Sequence, residues 1–245
     1  TLRAESLRED AADLLTQIDR IQMHLSRSQT EVLSTIRLSA SMTITNEMLP
    51  SLINEMHKVH PTTTYYVNSL PLKNMVEAVS EGHVDFAFHT QQLKHPNIVN
   101  EVIIEAPQVC VMPADHPLAQ RERIELADLS GQRLITSSRK DPAYEYYREL
   151  FRRNRIHVES VLQSPFAGLS MQMIQSLNAL SFNSALIADI FCKRNPDITW
   201  RHVEGLQATT SFVLGYASWL EGSETLSLIK SSFQSAFRPS LDELD

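Results

Sequence analysis

The segment TIRLSASMTITNEMLPSLI, residues 35–53, changes from a strand pattern to a helix pattern around Ser and Thr side chains. Its β-branched start is typical of a strand, and its apolar residues from Leu49 onward recur at the spacing of one helix face. We expect the helix to begin with Asn46 as its cap. Pro50 then falls in the first turn, where a missing N–H group is tolerated. The segment therefore predicts a strand that runs directly into a helix.

The alternation of strand and helix continues beyond this segment. The run TTTYYV (62–67) is typical of a strand, and VDFAF (84–88) predicts another. Between them, apolar residues at helix spacing predict a helix that Ser69 caps and Gly82 ends. A β-α-β-α-β order predicts a parallel sheet with helices over its faces, because crossovers between parallel strands are right-handed.

Hydroxyl side chains cluster where the first strand meets its helix. Ser41 and Thr43 follow the carboxyl end of that strand and precede the helix. Free N–H groups and the positive end of the helix dipole favour an anion at such a position. Hydroxyls suit a small polar ligand, although Ser and Thr also serve as plain helix caps. Both interpretations remain open from the residues alone.

The first 28 residues contain neither Gly nor Pro and predict one long helix. Apolar residues repeat every seven positions in two sets, as in the seam of a coiled coil. The residues that we expect to mediate dimerisation are Leu7, Leu14, Ile18, Ile21 and Leu25. An amphipathic helix packed on its own domain is the alternative, but a strict seven-residue repeat favours pairing between chains.

Composition limits the classes of function. The chain has 245 residues with 22 basic and 29 acidic side chains, a net charge of −7, which argues against a polyanion partner for this chain alone. No apolar run is long enough to span a membrane and no secretion signal is visible, so we expect a cytoplasmic protein. Cys110 and Cys192 form neither a disulfide framework nor a zinc cluster, and we expect two reduced thiols.

Signs of catalysis are weak. No nucleophile elbow, phosphate-binding loop or dinucleotide fingerprint is present. His57 and His60 have a spacing compatible with a metal, but no Cys or carboxylate completes a ligand set nearby. We therefore predict no enzyme activity, no catalytic residues, no metal and no cofactor.

Three stretches resemble consecutive signatures of LysR-type transcriptional regulators. They are residues 35–53, MVEAVSEGHVDFAF (75–88) and VCVMPADHPLAQRERIELADLSGQRLITSS (109–138). Their most specific features are a Gly-x-x-Asp turn at Gly82 and Asp85, and Ala-Asp-His-Pro-Leu-Ala followed by Leu-Ala-Asp-Leu. Residues 1–28 are similar to the linker helix of the family, and residues 35–238 to its effector-binding part. The winged helix-turn-helix of the family would precede Thr1 and is absent from this chain.

One segment departs from the pattern of the family. The family has a glycine-rich turn before a late strand, whereas SLNALSFNSALIADIF (176–191) contains neither Gly nor Pro. Its apolar character is kept.

The resemblance implies an α/β fold of two Rossmann-like subdomains, of the type II periplasmic-binding-protein kind. Two crossover strands, QVCVM (108–112) and SFVLGYAS (211–218), would join them, and the long linker helix would precede them. The domain boundaries that follow are 1–30 for the linker and dimerisation helix, 31–110 and 211–245 for subdomain I, and 111–210 for subdomain II. Ligands of open α/β sheets bind beyond the carboxyl ends of the strands.

The resemblance also implies an effector site in the cleft between the subdomains. Its residues would be Ser41, Thr43, Thr90, Thr136, Ser138 and Phe166. The chain would bind a small polar, anionic metabolite and would form a homo-dimer or tetramer. The full regulator would reach promoter DNA through its N-terminal domain, with no membrane involved. The alternative is a periplasmic-type solute-binding protein of the same fold, from which the heptad helix and the missing signal sequence would distinguish it.

Overall fold

The computed structural model describes residues 32–139 and 141–242, together with the isolated positions Ala11 and Ile18. The strands are β1 (Thr35–Ala40), β2 (Thr64–Asn68), β3 (Phe86–His89), β4 (Ile98–Pro113), β5 (Arg123–Glu125), β6 (Arg133–Thr136), β7 (Glu159–Gln163), β8 (Leu180–Ser184), β9 (Ile198–Glu204) and β10 (Thr209–Ala217). The helices are α1 (Met42–Glu47), α2 (Leu49–Val59), α3 (Leu72–Ser80), α4 (Pro142–Arg153), α5 (Ala167–Leu177), α6 (Ala185–Arg194) and α7 (Glu224–Asp242). Short 3₁₀ helices cover Pro117–Gln120, Leu126–Leu129 and Ser218–Leu220.

These strands form one mixed sheet in the order β2-β1-β3-β10-β4-β8-β6-β7, and β9 joins it by pairing with β4 and β5. We call β2, β1, β3, β10 and the start of β4 the first half, and the end of β4 with β8, β6, β7, β9 and β5 the second half. Each half contains parallel strands, β2-β1-β3 in one and β8-β6-β7 in the other. Antiparallel pairing of β4 with β10 and with β8 connects the halves.

The hydrophobic core follows this division, with one exception. Leu38, Phe86 and Leu52 belong to the core of the first half, under α2 and α7. Helix α6 contacts both halves, because Leu186 and Ile187 belong to that core while its alanines pack in the second half. The start of α6 is therefore buried on more than one side, and this helix packs against both halves of the sheet.

The helix predicted from Asn46 begins earlier than expected. Helix α1 starts at Met42 with Ser41 as its N-cap, and a break at Met48 separates it from α2. Pro50 lies in the first turn of α2, where its missing N–H group costs no hydrogen bond. The prediction that Asn46 caps the helix is therefore wrong, whereas the position of Pro50 in a first turn is confirmed.

The next helix also has a different cap. The N-cap of α3 is Pro71, not Ser69, whose hydroxyl donates to the carbonyl oxygen of Ala40 at 2.9 Å. Gly82 ends the helix as expected. Its φ of 75° is left-handed, and its N–H group donates to the carbonyl of Val79 at 3.1 Å.

The segment 176–191, which lacks glycine, ends its helix with an asparagine in the left-handed conformation. Asn178 is the C-cap of α5 and has φ 44° and ψ 57°. Asparagine tolerates this left-handed conformation better than other residues with a β-carbon. The turn into β8 therefore forms without the expected glycine.

The predicted linker helix, residues 1–30, lies outside the described residues, as do Leu7, Leu14, Ile21 and Leu25 of its seam. The described Ile18 is helical and about half exposed. No helix within residues 32–139 and 141–242 has both the length and the apolar character needed to cross a bilayer.

Asp85 of the Gly-x-x-Asp turn joins the start of β3 to the parallel strand β1. Its carboxylate is buried and accepts a hydrogen bond from the backbone N–H of Arg37 at 2.8 Å. The guanidinium of Arg37 lies 3.7 Å from the same carboxylate oxygen, and the backbone N–H of Asp85 donates to the carbonyl of Arg37. The side chain thus completes the hydrogen bonding between β1 and β3.

We expect Asp85→Ala to lower the free energy of unfolding by about 1–3 kcal/mol, because it leaves the N–H of Arg37 without its acceptor. Urea titration followed by circular dichroism measures the change. The matched control is Asp115→Ala at an exposed aspartate, which should cost less than about 0.5 kcal/mol. Equal losses in both variants would contradict the role given to Asp85.

Candidate functional site

A cavity of about 760 Å³ lies where the two halves of the sheet meet. We call it the central cavity. It is lined by residues that follow the carboxyl ends of β1, β3 and β6 and by residues at the starts of α1, α4, α5 and α6. Several helix N-termini therefore surround one space, which favours a ligand with negative charge.

The wall from the first half contains two of the hydroxyls in the opening segment. Ser41 and Thr43 line the central cavity, and the side chain of Ser41 makes no capping hydrogen bond although Ser41 is the N-cap of α1. Thr45 is different, because its hydroxyl donates to the carbonyl of Ala40 at 3.3 Å. Ser39 is fully buried, and its hydroxyl has no partner in the described part of the chain. Plain capping therefore does not account for Ser41.

The wall from the second half follows the end of β6. The hydroxyl of Thr136 lies 3.2 Å from that of Ser160, and both residues line the central cavity. Ser164 fixes the next turn, since its hydroxyl accepts from the backbone N–H of Phe166 at 3.0 Å. The side chain of Phe166 is about half exposed at the cavity.

The structure brings together five of the six residues that the resemblance implied. Ser41, Thr43, Thr90, Thr136 and Phe166 all line the central cavity. Ser138 does not, because β6 ends at Thr136 and the neighbouring Ser137 contributes to the wall instead.

The sequence analysis missed an aromatic wall and a polar group between the halves. Tyr147 and Phe182 stack with ring centroids 4.5 Å apart, and Phe151 lies 6.2 Å from each of them. All three line the central cavity, together with Gln108 and Thr210 on the crossing strands. The aromatic run YEYYRELF (144–151) and the pair Thr209-Thr210 beside a crossover strand were the available signals.

The charged groups in the wall are few and already engaged. The carboxylate of Asp141 caps α4 by accepting from the N–H of Ala143 at 2.9 Å. Arg148 pairs with Glu145 at 2.7 Å on the exposed side of that helix. Hydroxyls, amides and aromatic rings therefore supply most of the chemistry of the cavity. Across the described residues, no group of three or more His, Cys, Asp or Glu side chains is arranged to hold a metal ion.

Neither thiol has the character of a reactive cysteine. Both cysteines are free, and burial raises the pKa of Cys110 far above its usual range. Burial also raises the pKa of Cys192 to about 12, with a further contribution from the carboxylate of Asp189. Because the thiolate is the nucleophile, both residues should be inert at neutral pH.

We expect both thiols of the folded chain to react with a disulfide reagent at pH 7.5 at least about a hundredfold more slowly than after unfolding in guanidinium. The measurement is the absorbance of the released thiolate over time. In the variant Cys110→Ala, Cys192 is the remaining thiol, so the rate measured for the folded variant is that of Cys192. A thiol of the folded chain that reacts as fast as in the unfolded chain would contradict the raised pKa values of Cys110 and Cys192.

Comparison with known proteins identifies the class. Residues 29–228 match the family model described as the LysR substrate binding domain. The regulator AlsR of Bacillus subtilis (strain 168) is 21% identical over 174 residues, which are 70% of this chain and 57% of AlsR. The chain therefore spans little more than half of that relative.

Solved structures show the same fold. The BenM effector-binding domain with its effector benzoate has a TM-score of 0.66 at 17% identity, covering 88% of this chain and 96% of that one. A cysteine-to-serine variant of OxyR from Corynebacterium glutamicum with bound hydrogen peroxide has a TM-score of 0.73 at 18% identity, covering 99% of this chain and 76% of that one.

The fold and the cavity thus define an effector-binding domain of the type II periplasmic-binding-protein kind, and the predicted fold class is confirmed. The chain belongs to the LysR substrate-binding domain family, whose members are transcriptional regulators. The family match favours the regulator over the periplasmic solute-binding protein.

Proposed function

We propose that this chain is the part of a LysR-type regulator that senses a small polar, anionic metabolite, and that it is not an enzyme. The observation that carries the proposal is a cavity with hydroxyls on two facing walls. Ser41 and Thr43 come from the first half, and Thr136 comes from the second. We assign the site to these residues with Thr90 and Phe166, and we leave out Ser138 because it does not line the cavity.

A ligand bound between two subdomains can change how the subdomains are arranged. We propose boundaries of 31–110 with 211–245 for subdomain I, and 111–210 for subdomain II. A ligand that contacts both subdomains stabilises the arrangement in which they are close, by the difference between its affinities for the two arrangements. The ion pair of Arg194 with Glu47 at 2.8 Å links α6 to α1 across the same boundary and would respond to this motion.

The remaining partners follow from the family and from the heptad pattern. We propose that the regulator acts in the cytoplasm and contacts promoter DNA through a winged helix-turn-helix, N-terminal to the linker helix. An acidic chain offers few counterion-releasing contacts to phosphates, which supports a separate DNA-binding part. Residues 1–30 would pair with a second chain through Leu7, Leu14, Ile18, Ile21 and Leu25.

We expect residues 1–245 to sediment as a dimer or a tetramer, because the seam would expose apolar surface on a monomer. The double substitution Leu14→Asp and Ile21→Asp should weaken the association. Arg20→Asp with Arg27→Asp, which changes positions on the side of the helix away from the seam, is the matched control and should not. Sedimentation of the unchanged chain as a monomer at high micromolar concentration would contradict the proposal.

We expect Thr43→Val to weaken effector binding by about 1–3 kcal/mol and to leave the melting temperature nearly unchanged. Within the described part of the chain the hydroxyl of Thr43 makes no hydrogen bond, so its removal breaks none inside the protein. A thermal-shift screen of cell metabolites identifies the effector, and calorimetry measures its affinity.

Thr45→Val is the matched control, since Thr45 does not line the cavity and its hydroxyl binds the carbonyl of Ala40. This variant should lower the melting temperature and leave the affinity unchanged. If Thr43→Val binds the effector as tightly as the parent chain does, the assignment of Thr43 to the site is wrong.

A further inference from the structure

A directed chain of hydrogen bonds ends at the central cavity. The hydroxyl of Tyr147 donates to Oε1 of Gln108 at 3.1 Å, and Nε2 of Gln108 donates to the hydroxyl oxygen of Thr210. All three residues line the cavity. Burial raises the pKa of Tyr147, so its hydroxyl keeps its proton at neutral pH and remains a donor.

The direction of this chain leaves a donor at its end. The amide oxygen of Gln108 accepts from Tyr147, and the amide nitrogen faces Thr210. The oxygen of Thr210 then accepts a hydrogen bond, and its own hydrogen is available to another acceptor. Within the described residues no hydrogen bond is donated by that hydroxyl. A group in the cavity that accepts hydrogen bonds would therefore find a donor at Thr210.

The chain of hydrogen bonds also lies at the junction of the two halves. Strand β4 pairs with β10 up to Pro107 opposite Thr209, and it pairs with β8 from Gln108 opposite Ser184. Gln108 is thus at the residue where β4 changes partner, and Tyr147 adds a third element, α4. A ligand bound to Thr210 would touch the polar group that connects both crossing strands to the second half.

Apolar surface lies beside this donor. The stacked rings of Tyr147 and Phe182 line the cavity, and Phe151, Leu134 and Val158 extend the same wall. A fully hydrophilic ligand would leave this surface without an apolar partner. A flat apolar group can cover it, and burying a ring of that size favours binding by more than one hydrogen bond does.

We propose that the effector is a small carboxylic acid with a flat, apolar body, whose carboxylate accepts from the hydroxyl of Thr210 and whose body lies against Tyr147 and Phe182. This inference rests on the proposed function and narrows its ligand class. Thr210 is a ligand-binding residue in this scheme. Tyr147 contributes its ring to the wall and, through Gln108, positions the hydroxyl of Thr210.

Four simple probes separate the parts of the proposed ligand. Acetate has the charge alone, phenylacetate has the charge and a ring, phenethyl alcohol has the ring without the charge, and succinate is a fully polar dianion. Ligand-observed saturation-transfer NMR on residues 1–245 measures their dissociation constants. We expect phenylacetate to bind at least about tenfold more tightly than acetate or succinate. The inference is overturned if acetate or succinate binds as tightly as phenylacetate, or if phenylacetate does not bind at millimolar concentration.

Substitutions in the hydrogen-bonded chain test the role of Thr210. Thr210→Val keeps the shape and should weaken phenylacetate about tenfold, while the affinity of phenethyl alcohol changes less than about twofold. Tyr147→Phe keeps the ring but frees the oxygen of Gln108 to accept from Thr210, so it should also weaken the acid more than the alcohol. Thr62→Val, at an exposed position outside the cavity, is the matched control and should change neither affinity.

The ratio of the two affinities distinguishes binding from structure, since a variant that only disturbs the fold weakens both probes alike. Equal weakening, or no weakening of phenylacetate in Thr210→Val, overturns the assignment. A polar dicarboxylate that binds in dependence on Thr43 would overturn this inference and leave the proposed function standing. If no metabolite binds in the cavity, both fail.

Discussion

Strand β4 is one continuous strand of 16 residues that belongs to both halves of the sheet. Its first part pairs with β10 in a register from Ile98 opposite Ala217 to Pro107 opposite Thr209, and its second part pairs with β8 and β9. The central cavity lies at the position where these partners change, since Gln108 of β4 lines it together with residues that follow β1, β3 and β6. The way in which the two halves enclose the cavity therefore depends on the backbone pairing of this strand.

The chemistry of the cavity follows from the same arrangement. Parallel strands bring their carboxyl ends, and the N-termini of the helices that follow, to the space between the halves. The second half adds the aromatic ring of Tyr147 from α4 and that of Phe182 from β8. Helix α6 packs against both halves and has its N-cap, Ser184, in the wall of the cavity, so one helix connects the ligand site with both cores.

Local patterns predicted the first part of the chain well. The strand at residues 35–40, the left-handed Gly82 and the exposure of Ser41 and Thr43 to the cavity follow from propensity and helix-end chemistry, which depend on neighbouring residues. The predicted caps Asn46 and Ser69 were wrong, because the helix already begins after Ser41 and the hydroxyl of Ser69 donates to the carbonyl of Ala40. Asn178 shows that a left-handed position can be kept without glycine.

The series of hydrogen bonds from Tyr147 through Gln108 to Thr210 could not be predicted from local patterns. Its members are 39 and 102 residues apart along the sequence, and each of them is ordinary in its local context. Their meeting depends on the register of β4 with two partners, which no short pattern encodes. The resemblance and the strand ends supplied six candidate residues, and five of them line the cavity. Neither source indicated the aromatic wall.

A crystal structure of the chain with the effector from the metabolite screen tests the central claim most directly, namely that one ligand contacts both halves of the sheet. The account predicts a ligand in the central cavity within hydrogen-bond distance of Ser41 or Thr43 on one side and of Thr136 or Thr210 on the other. A ligand that contacts one half alone, or that binds outside the cavity, would contradict it.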